Sequence, residues 1–326
     1  MDLIRRCGGI RALQWTREGV WGARRREALF SRDLGVTWES RGCLPSRPLD
    51  AFARLRVLER AARRSITLLH ATEEHWLAIA GGVLHLDGIP VRDLEGSRPM
   101  DRGLCSSGGT LFLAEYRRNP ERSGVGILKS EDSGRTWISA CTFAPGEVRH
   151  VHAVQSDPFR PRRVWACTGD EEGESRILFS DDAFTTHTVF CDDGQRSRAV
   201  SLLFTPDEIV WGMDAPGCPS FLLAASRDDG QPRELQRVGG PVYYSGRNAS
   251  GAMYFSTAAE SGLREAEVWV SRDGGSWSRE FVFRKDCWPQ HGIVGFPLGE
   301  APGSCMALTG RALRRIDGAT LFFRLP

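Results

Sequence analysis

Ser130-Glu131-Asp132-Ser133-Gly134-Arg135-Thr136-Trp137 recurs, little changed, as Ser31-Arg32-Asp33-Leu34-Gly35-Val36-Thr37-Trp38 and as Ser271-Arg272-Asp273-Gly274-Gly275-Ser276-Trp277. Two decayed copies keep part of the pattern: Ser180-Asp181-Asp182-Ala183-Phe184-Thr185-Thr186 and Ser226-Arg227-Asp228-Asp229-Gly230. β-rich runs stand on both sides of each copy, so each reads as a hairpin turn. Ser and Asp oxygens accept backbone N–H groups within such a turn, and Gly supplies the positive φ. The Trp opens the next strand and can fold back over the turn as an apolar lid. Self-similarity of this kind marks a repeat architecture.

If the turn joins the third and fourth strands (C and D) of a four-stranded unit, the rest of the chain can be phased from it. The fourth unit then runs through Val148–Val154, Arg163–Thr168 and Ser175–Phe179, and the seventh through Ile293–Leu298, Cys305–Leu308, Ala312–Ile316 and Thr320–Leu325. Seven units of roughly 47 residues each result. The expectation is an all-β propeller of seven four-stranded antiparallel blades, forming one domain over residues 1–326. One segment fits no blade: Leu49, Phe52, Leu55 and Leu58 recur with helical spacing, which predicts an inserted amphipathic helix over 48–64.

Composition narrows the class. Hydrophobic residues at 41% and charged residues at 26% describe an ordinary globular chain, and 43 Lys+Arg against 41 Asp+Glu leaves no basic stripe for nucleic acid. No apolar run approaches the ~20 residues of a membrane-spanning helix. Nine cysteines, an odd number with no CxxC pair and several within strand patterns, read as reduced thiols. With no apolar leader between Met1 and Leu13, they predict a cytoplasmic protein.

In an up-and-down blade the A–B and C–D turns share one end, and the B–C and D–A loops share the other. The first end receives the repeated turns. The second receives Glu115, Tyr116, Arg117, Arg149, His150, His152, Asp170, Arg198, Asp214, Tyr244 and Glu260, which are expected around one concavity at the channel mouth. His150 and His152, two apart, share a strand face. A metal would need a third ligand such as Asp170 or His291; packing or substrate contact is the plainer role, so no metal and no cofactor are expected.

The repeated turn resembles the Asp box, or BNR repeat, of the sialidase-like β-propeller superfamily, and the copies from Ser31 to Trp277 span most of the chain. In that family the box is structural and lies away from the active site. The resemblance implies a carbohydrate-active protein, a glycosidase-like propeller acting on or recognising a glycan that can be acidic. Glycosidic cleavage needs a proton donor and a second carboxylate, or in sialidases a Tyr assisted by Glu. Glu115, Asp170, Asp214, Glu260 and Tyr244 are the catalytic candidates. Tyr116, Arg117, Arg149, His150, His152 and Arg198 are the substrate-binding ones, the arginines for an anionic sugar. The chain departs from the sialidase pattern in lacking an Arg-Ile-Pro segment near its start, where Ile10-Arg11-Ala12 stands, and in its blade count. A polysaccharide lyase and a non-catalytic glycan- or protein-binding platform are the alternatives.

Overall fold

The computed structural model describes residues 1–45, 60 and 64–326. Seven sheets follow one another along the chain. β1 (Asp2–Gly8) stands apart. Blade 1 holds β2 (Arg11–Thr16), β3 (Gly19–Arg24), β4 (Glu27–Ser31) and β5 (Glu39–Cys43); blade 2 holds β6 (Ile66–Ala71), β7 (Trp76–Ala80), β8 (Val83–Leu86) and β9 (Ile89–Asp93). Blade 3 holds β10 (Leu104–Ser107), β11 (Thr110–Ala114), β12 (Val125–Ser130) and β13 (Ile138–Phe143). Blade 4 holds β14 (Val151–Ser156), β15 (Val164–Thr168), β16 (Arg176–Ser180) and β17 (Thr188–Cys191). Blade 5 holds β18 (Leu202–Phe204), β19 (Glu208–Gly212), β20 (Ser220–Ser226) and β21 (Arg233–Val238). Blade 6 holds β22 (Val242–Asn248), β23 (Met253–Thr257), β24 (Glu265–Ser271) and β25 (Ser278–Arg284). In blade 7, β26 (Ile293–Gly295) precedes the short β27 (Glu300–Ala301), which pairs with β22 of blade 6; β28 (Cys305–Arg311) and β29 (Ala319–Arg324) follow, and β1 is the outermost strand.

The seven-bladed propeller is therefore as expected, and only the last blade was misphased. Ala312–Ile316 is a turn rather than a strand, with Ala312 at φ 53° and Arg315 at φ 67°. Thr320–Leu325 supplies the third strand, and β1 the fourth, Cys7 opposite Thr320. β1 buries little beyond Cys7, so its alternation carries no strong strand signal. The helix expected over 48–64 lies largely outside the described residues. Among those described, no helix is long and apolar enough to cross a membrane.

The turns obey one hydrogen-bonding scheme. Ser130 Oγ donates to Asp132 Oδ1 (2.8 Å) and accepts from Gly134 N (2.9 Å); Asp132 accepts from Thr136 N (2.9 Å) and Thr136 Oγ1 (2.7 Å). Ser31 and Asp33 repeat it, and so do Ser180 and Asp182 despite the decayed sequence. Trp137 folds back as expected, its indole donating to Gly134 O (3.0 Å).

The fifth turn position is also where neighbouring blades meet. A Cβ on Gly134 would lie 2.7 Å from Leu77 of blade 2, and one on Gly35 2.8 Å from Phe322 of blade 7. In blade 4 Phe184 stands there at φ 65° and packs edge-on against Phe112 of blade 3, centroids 5.9 Å apart. The copy at Ser226 has been put to another use. Its Arg227 turns inward onto Asp157 (2.6 Å), a buried pair tying blade 5 to blade 4, and Asp157 also accepts from the Trp165 indole (2.9 Å).

All nine cysteines are free; Cys43, Cys218 and Cys287 are exposed, and burial pushes the Cys105 and Cys167 thiols up. A thiol reagent should therefore titrate three groups quickly in the native protein and nine after unfolding. Fewer than nine in the unfolded, unreduced chain would reveal a disulfide.

The turn carboxylates generate a second prediction. Hydrogen bonds from the backbone N–H and hydroxyl of Thr37, and likewise of Thr136, hold Asp33 and Asp132 at about 2, and the Ser276 and Gly275 amides do the same for Asp273. A carboxyl lowered on folding stabilises above its unfolded value near 3.9, and that contribution fades as pH falls through the folded value. Wild-type protein should lose stability between pH of about 4 and 2, and the triple variant D33N/D132N/D273N should unfold at lower temperature at pH 7 with a flatter profile across that window. Parallel profiles would show that these turns contribute nothing through charge.

Candidate functional site

Beta-bulges on the inner strands aim the side chains that matter. In β14 the register slips between Val151 and Ala153, leaving His152 as the extra residue; in β22 it slips between Val242 and Tyr244, leaving Tyr243. A bulge bends the strand and redirects a side chain. His150 and His152 consequently meet, Nε2 to Nε2, at 3.0 Å. Asp170, just beyond β15, brings Oδ2 to 3.2 Å from His150 Nε2 and Oδ1 to 3.2 Å from His152 Nε2. Tyr116 lies over His150, ring centroids 4.2 Å apart.

Two guanidiniums hold the far side of this carboxylate. Arg198 Nη2 reaches Asp170 Oδ1 at 2.8 Å and Arg149 Nη1 reaches Oδ2 at 3.1 Å. Arg198 also points Nε toward Asp214 Oδ2 at 3.6 Å. Asp214 is buried, and its Oδ1 has no hydrogen-bond partner. Nearby, Glu260 Oε2 accepts from the Tyr243 hydroxyl (3.0 Å) and lies 3.1 Å from His291 Nδ1, while Glu260 Oε1 is buried without a partner.

The environment drives two of these carboxyls apart. Burial opposes ionisation of Asp170, but its contacts with His150 and His152 override it and hold the group well below the usual range. Burial pushes Asp214 well above that range; Arg198 pulls back in part, and Glu260 and Asp170 add to the rise. Two carboxyls shifted in opposite directions beside one arginine form an arrangement suited to acid–base chemistry.

Beside the cluster the channel mouth opens as a cavity of about 380 Å³. Arg11, Arg25, Arg60, Arg98 and Arg311 line it against the acids Asp101 and Asp317, and Tyr116 and His291 join it to the cluster. Below, the Asp101–Arg311 pair (2.7 Å) and Arg102, whose guanidinium donates to Ser245 O (2.6 Å) and Phe296 O (3.1 Å), fill the channel. A second cavity of about 470 Å³ lies at the opposite mouth, among Gln155, Phe159, Phe204 and Arg247.

Of the expected residues, Tyr116, Arg149, His150, His152, Asp170, Arg198, Asp214 and Glu260 come together. Three do not join them. Glu115 turns its carboxylate onto Gly126 N (2.7 Å), because the adjacent strand end offers an unpaired backbone donor. Arg117 spends its guanidinium on Gly124 O (2.8 Å) and Ser123 Oγ (3.4 Å) within its own loop. Tyr244 lines the mouth cavity but lies on the opposite face from Tyr243, between Arg102 and Arg311, each 5.6 Å from its ring. Tyr243, not Tyr244, therefore meets Glu260. In the acidic turn after Asp170, Glu174 is buried against Arg122 and the Arg149 amide. Tyr243 and Arg98 were not expected as site residues, and His291 was weighed only as a metal ligand; a bulge signal in β22 would have been needed to choose Tyr243.

No protein-family profile and no curated relative matches the sequence. Many solved structures share the fold. The extracellular domain of a one component system from B. thetaiotaomicron superposes with a TM-score of 0.53 at 10% identity, over 85% of this chain and 34% of that one. The GH74 xyloglucanase from Xanthomonas campestris gives 0.54 at 13%, over 86% and 46%. A chain of the mitotic checkpoint complex gives 0.60 at 10%, over 99% and 94%. The chain thus spans about a third of the first protein and under half of the second, and at these identities the likeness is one of fold. The cytoplasmic expectation does not stand. This fold serves as an extracellular domain in the first of these proteins, so free thiols and a start without an apolar run assign no compartment.

Asp214 supplies the prediction of this subsection. A carboxyl raised on folding destabilises above its unfolded value, so Asp214→Asn should raise the thermal midpoint by a few degrees at pH 7 and leave it unchanged near pH 3. A loss of stability at pH 7 would show that Asp214 is ionised and paired in the folded protein.

Proposed function

We propose that the mouth opposite the repeated turns recognises an acidic glycan. The observation that carries this reading is the Arg98 guanidinium on the cavity wall, where Arg60 and Arg311 are already paired with Asp286, Asp317 and Asp101. Arg98 is exposed there, and its side chain makes no ion pair among the described residues. Guanidinium forks bind carboxylates in two places, and the half-buried Tyr116 offers a ring face beside them. The resemblance to the sialidase-like superfamily and the fold shared with a GH74 xyloglucanase point the same way. In this proposal residues 1–326 act as one propeller domain, with no nucleic-acid or membrane partner.

A second reading, hydrolysis, is favoured by one contact. The Tyr243 hydroxyl donating to Glu260 has the form of the tyrosine–glutamate pair that sialidases use in place of a carboxylate nucleophile, and Asp214 would be the proton donor. Against catalysis by Asp170 stands its pairing with two arginines. Recognition is therefore the primary role, and cleavage the secondary one.

Titration calorimetry with uronate- or sialate-bearing oligosaccharides and neutral counterparts tests both. Arg98→Ala should weaken an acidic ligand roughly tenfold, about 1.4 kcal/mol, and leave a neutral one unaffected. Arg198 is a poor site for this test because Asp170 and Asp214 already engage it. No acidic saccharide binding at millimolar concentration, or equal losses for both ligands, would remove the proposal. Turnover of an aryl glycoside that Tyr243→Phe abolishes would promote the second reading.

A further inference from the structure

We propose that His150, His152 and Asp170 form a binding site for a divalent first-row transition-metal ion. The inference is independent of whether the cavity takes a glycan.

The hydrogen bonding around the two rings leads to it. His150 Nδ1 is 3.3 Å from Arg117 O, and His152 Nδ1 is 3.1 Å from Ala199 O. Carbonyls only accept, so each Nδ1 carries a proton, and a ring without a second proton presents a bare lone pair at Nε2. Those two lone pairs face each other across 3.0 Å, and each also faces a carboxylate oxygen at 3.2 Å. Four acceptor atoms thus enclose one small space. A proton on one Nε2 would serve a single ring, and protons on both would collide. One cation satisfies all of them.

Geometry and donor type agree with an ion. Zinc bonds to imidazole and carboxylate are about 2.0–2.2 Å long, which sets neighbouring donor atoms roughly 3.0–3.5 Å apart. The observed separations of 3.0, 3.2 and 3.2 Å lie in that range, with the carboxylate meeting each ring through a different oxygen. Two imidazoles and a carboxylate, with no thiolate, suit zinc, iron, cobalt or manganese in an open site. The usual supports of a metal centre are present too: a carbonyl behind each ring and a positioned carboxylate. Arg198 and Arg149 each occupy one side of an Asp170 oxygen, and Gln195 Nε2 and Arg198 Nη1 donate to the Asp170 carbonyl at 3.0 and 2.9 Å. Both histidines are buried, while the Asp170 side chain keeps 13% exposure, leaving an approach for water or ligand on that side. The two guanidiniums are the repulsive charges such an ion meets, and each is already paired with an Asp170 oxygen.

Full-length protein stripped with a chelator is titrated with Co²⁺ or Cu²⁺ alone. The wild type should take up one equivalent, and the copper spectrum should carry superhyperfine coupling from two nitrogens. His152→Gln and Asp170→Asn should each weaken uptake at least tenfold with the circular dichroism unchanged, and His187→Gln, on the exposed surface, should have no effect. If the site variants fail to fold, the wild-type spectrum still decides. Absence of stoichiometric uptake overturns the proposal. So does uptake that persists in His152→Gln but disappears when Cys43, Cys218 and Cys287 are alkylated.

Discussion

A propeller leaves the inner edges of its sheets short of backbone partners, and the satisfaction of those edges governs the rest of this structure. Unpaired N–H and C=O groups in a buried channel are costly unless something bonds them. Side chains supply the bonds here. Gln14 of blade 1 brackets Ala71 of blade 2, accepting from its N–H and donating to its carbonyl, and Gln155 of blade 4 does the same to Leu202 of blade 5. Ser201 reaches Tyr243 O, Ser256 reaches Val294 O, and Arg102 crosses the axis to Ser245 O and Phe296 O. The channel is laced by polar side chains, and its two large cavities lie at the ends.

The same inner strands carry the bulges. Leu13, Thr67, His152 and Tyr243 are each the extra residue at the matching place in blades 1, 2, 4 and 6. The position is structural in the first two and chemical in the last two. The repeat thus provides a standard kink near the axis, and individual blades have placed an imidazole or a phenol on it.

This explains what could be read from the chain and what could not. The Ser-x-Asp turns encode their own hydrogen bonds within eight residues, so blade phase was legible from Ser31 to Trp277. Where that local signal lapsed, in the last blade, the phasing drifted and β1 went unassigned. Most of the cluster was legible because topology alone sends strand A starts and strand B ends to one mouth. Tyr244 was preferred to Tyr243 because alternation cannot be counted through a bulge, and Glu115 was misjudged because a free amide at Gly126 lay within its reach. The arginine wall draws on loops of several blades, so no single stretch of sequence displays it.

The last sheet joins strands that lie far apart in the sequence. β1 pairs with β29, and Thr320 bonds both Ile10 O and Ala12 N across about 310 residues of chain. Blades 1 to 6 are runs of adjacent hairpins that can form from nearby sequence, whereas this pairing waits for residues 319–324. Until they arrive, β1 is a strand without a partner and blade 1 lacks one of its flanking sheets, an edge open to association with other chains. Order of synthesis therefore sets a period of vulnerability that ends only when the final hairpin docks, and a chain interrupted before Ala319 would never leave it.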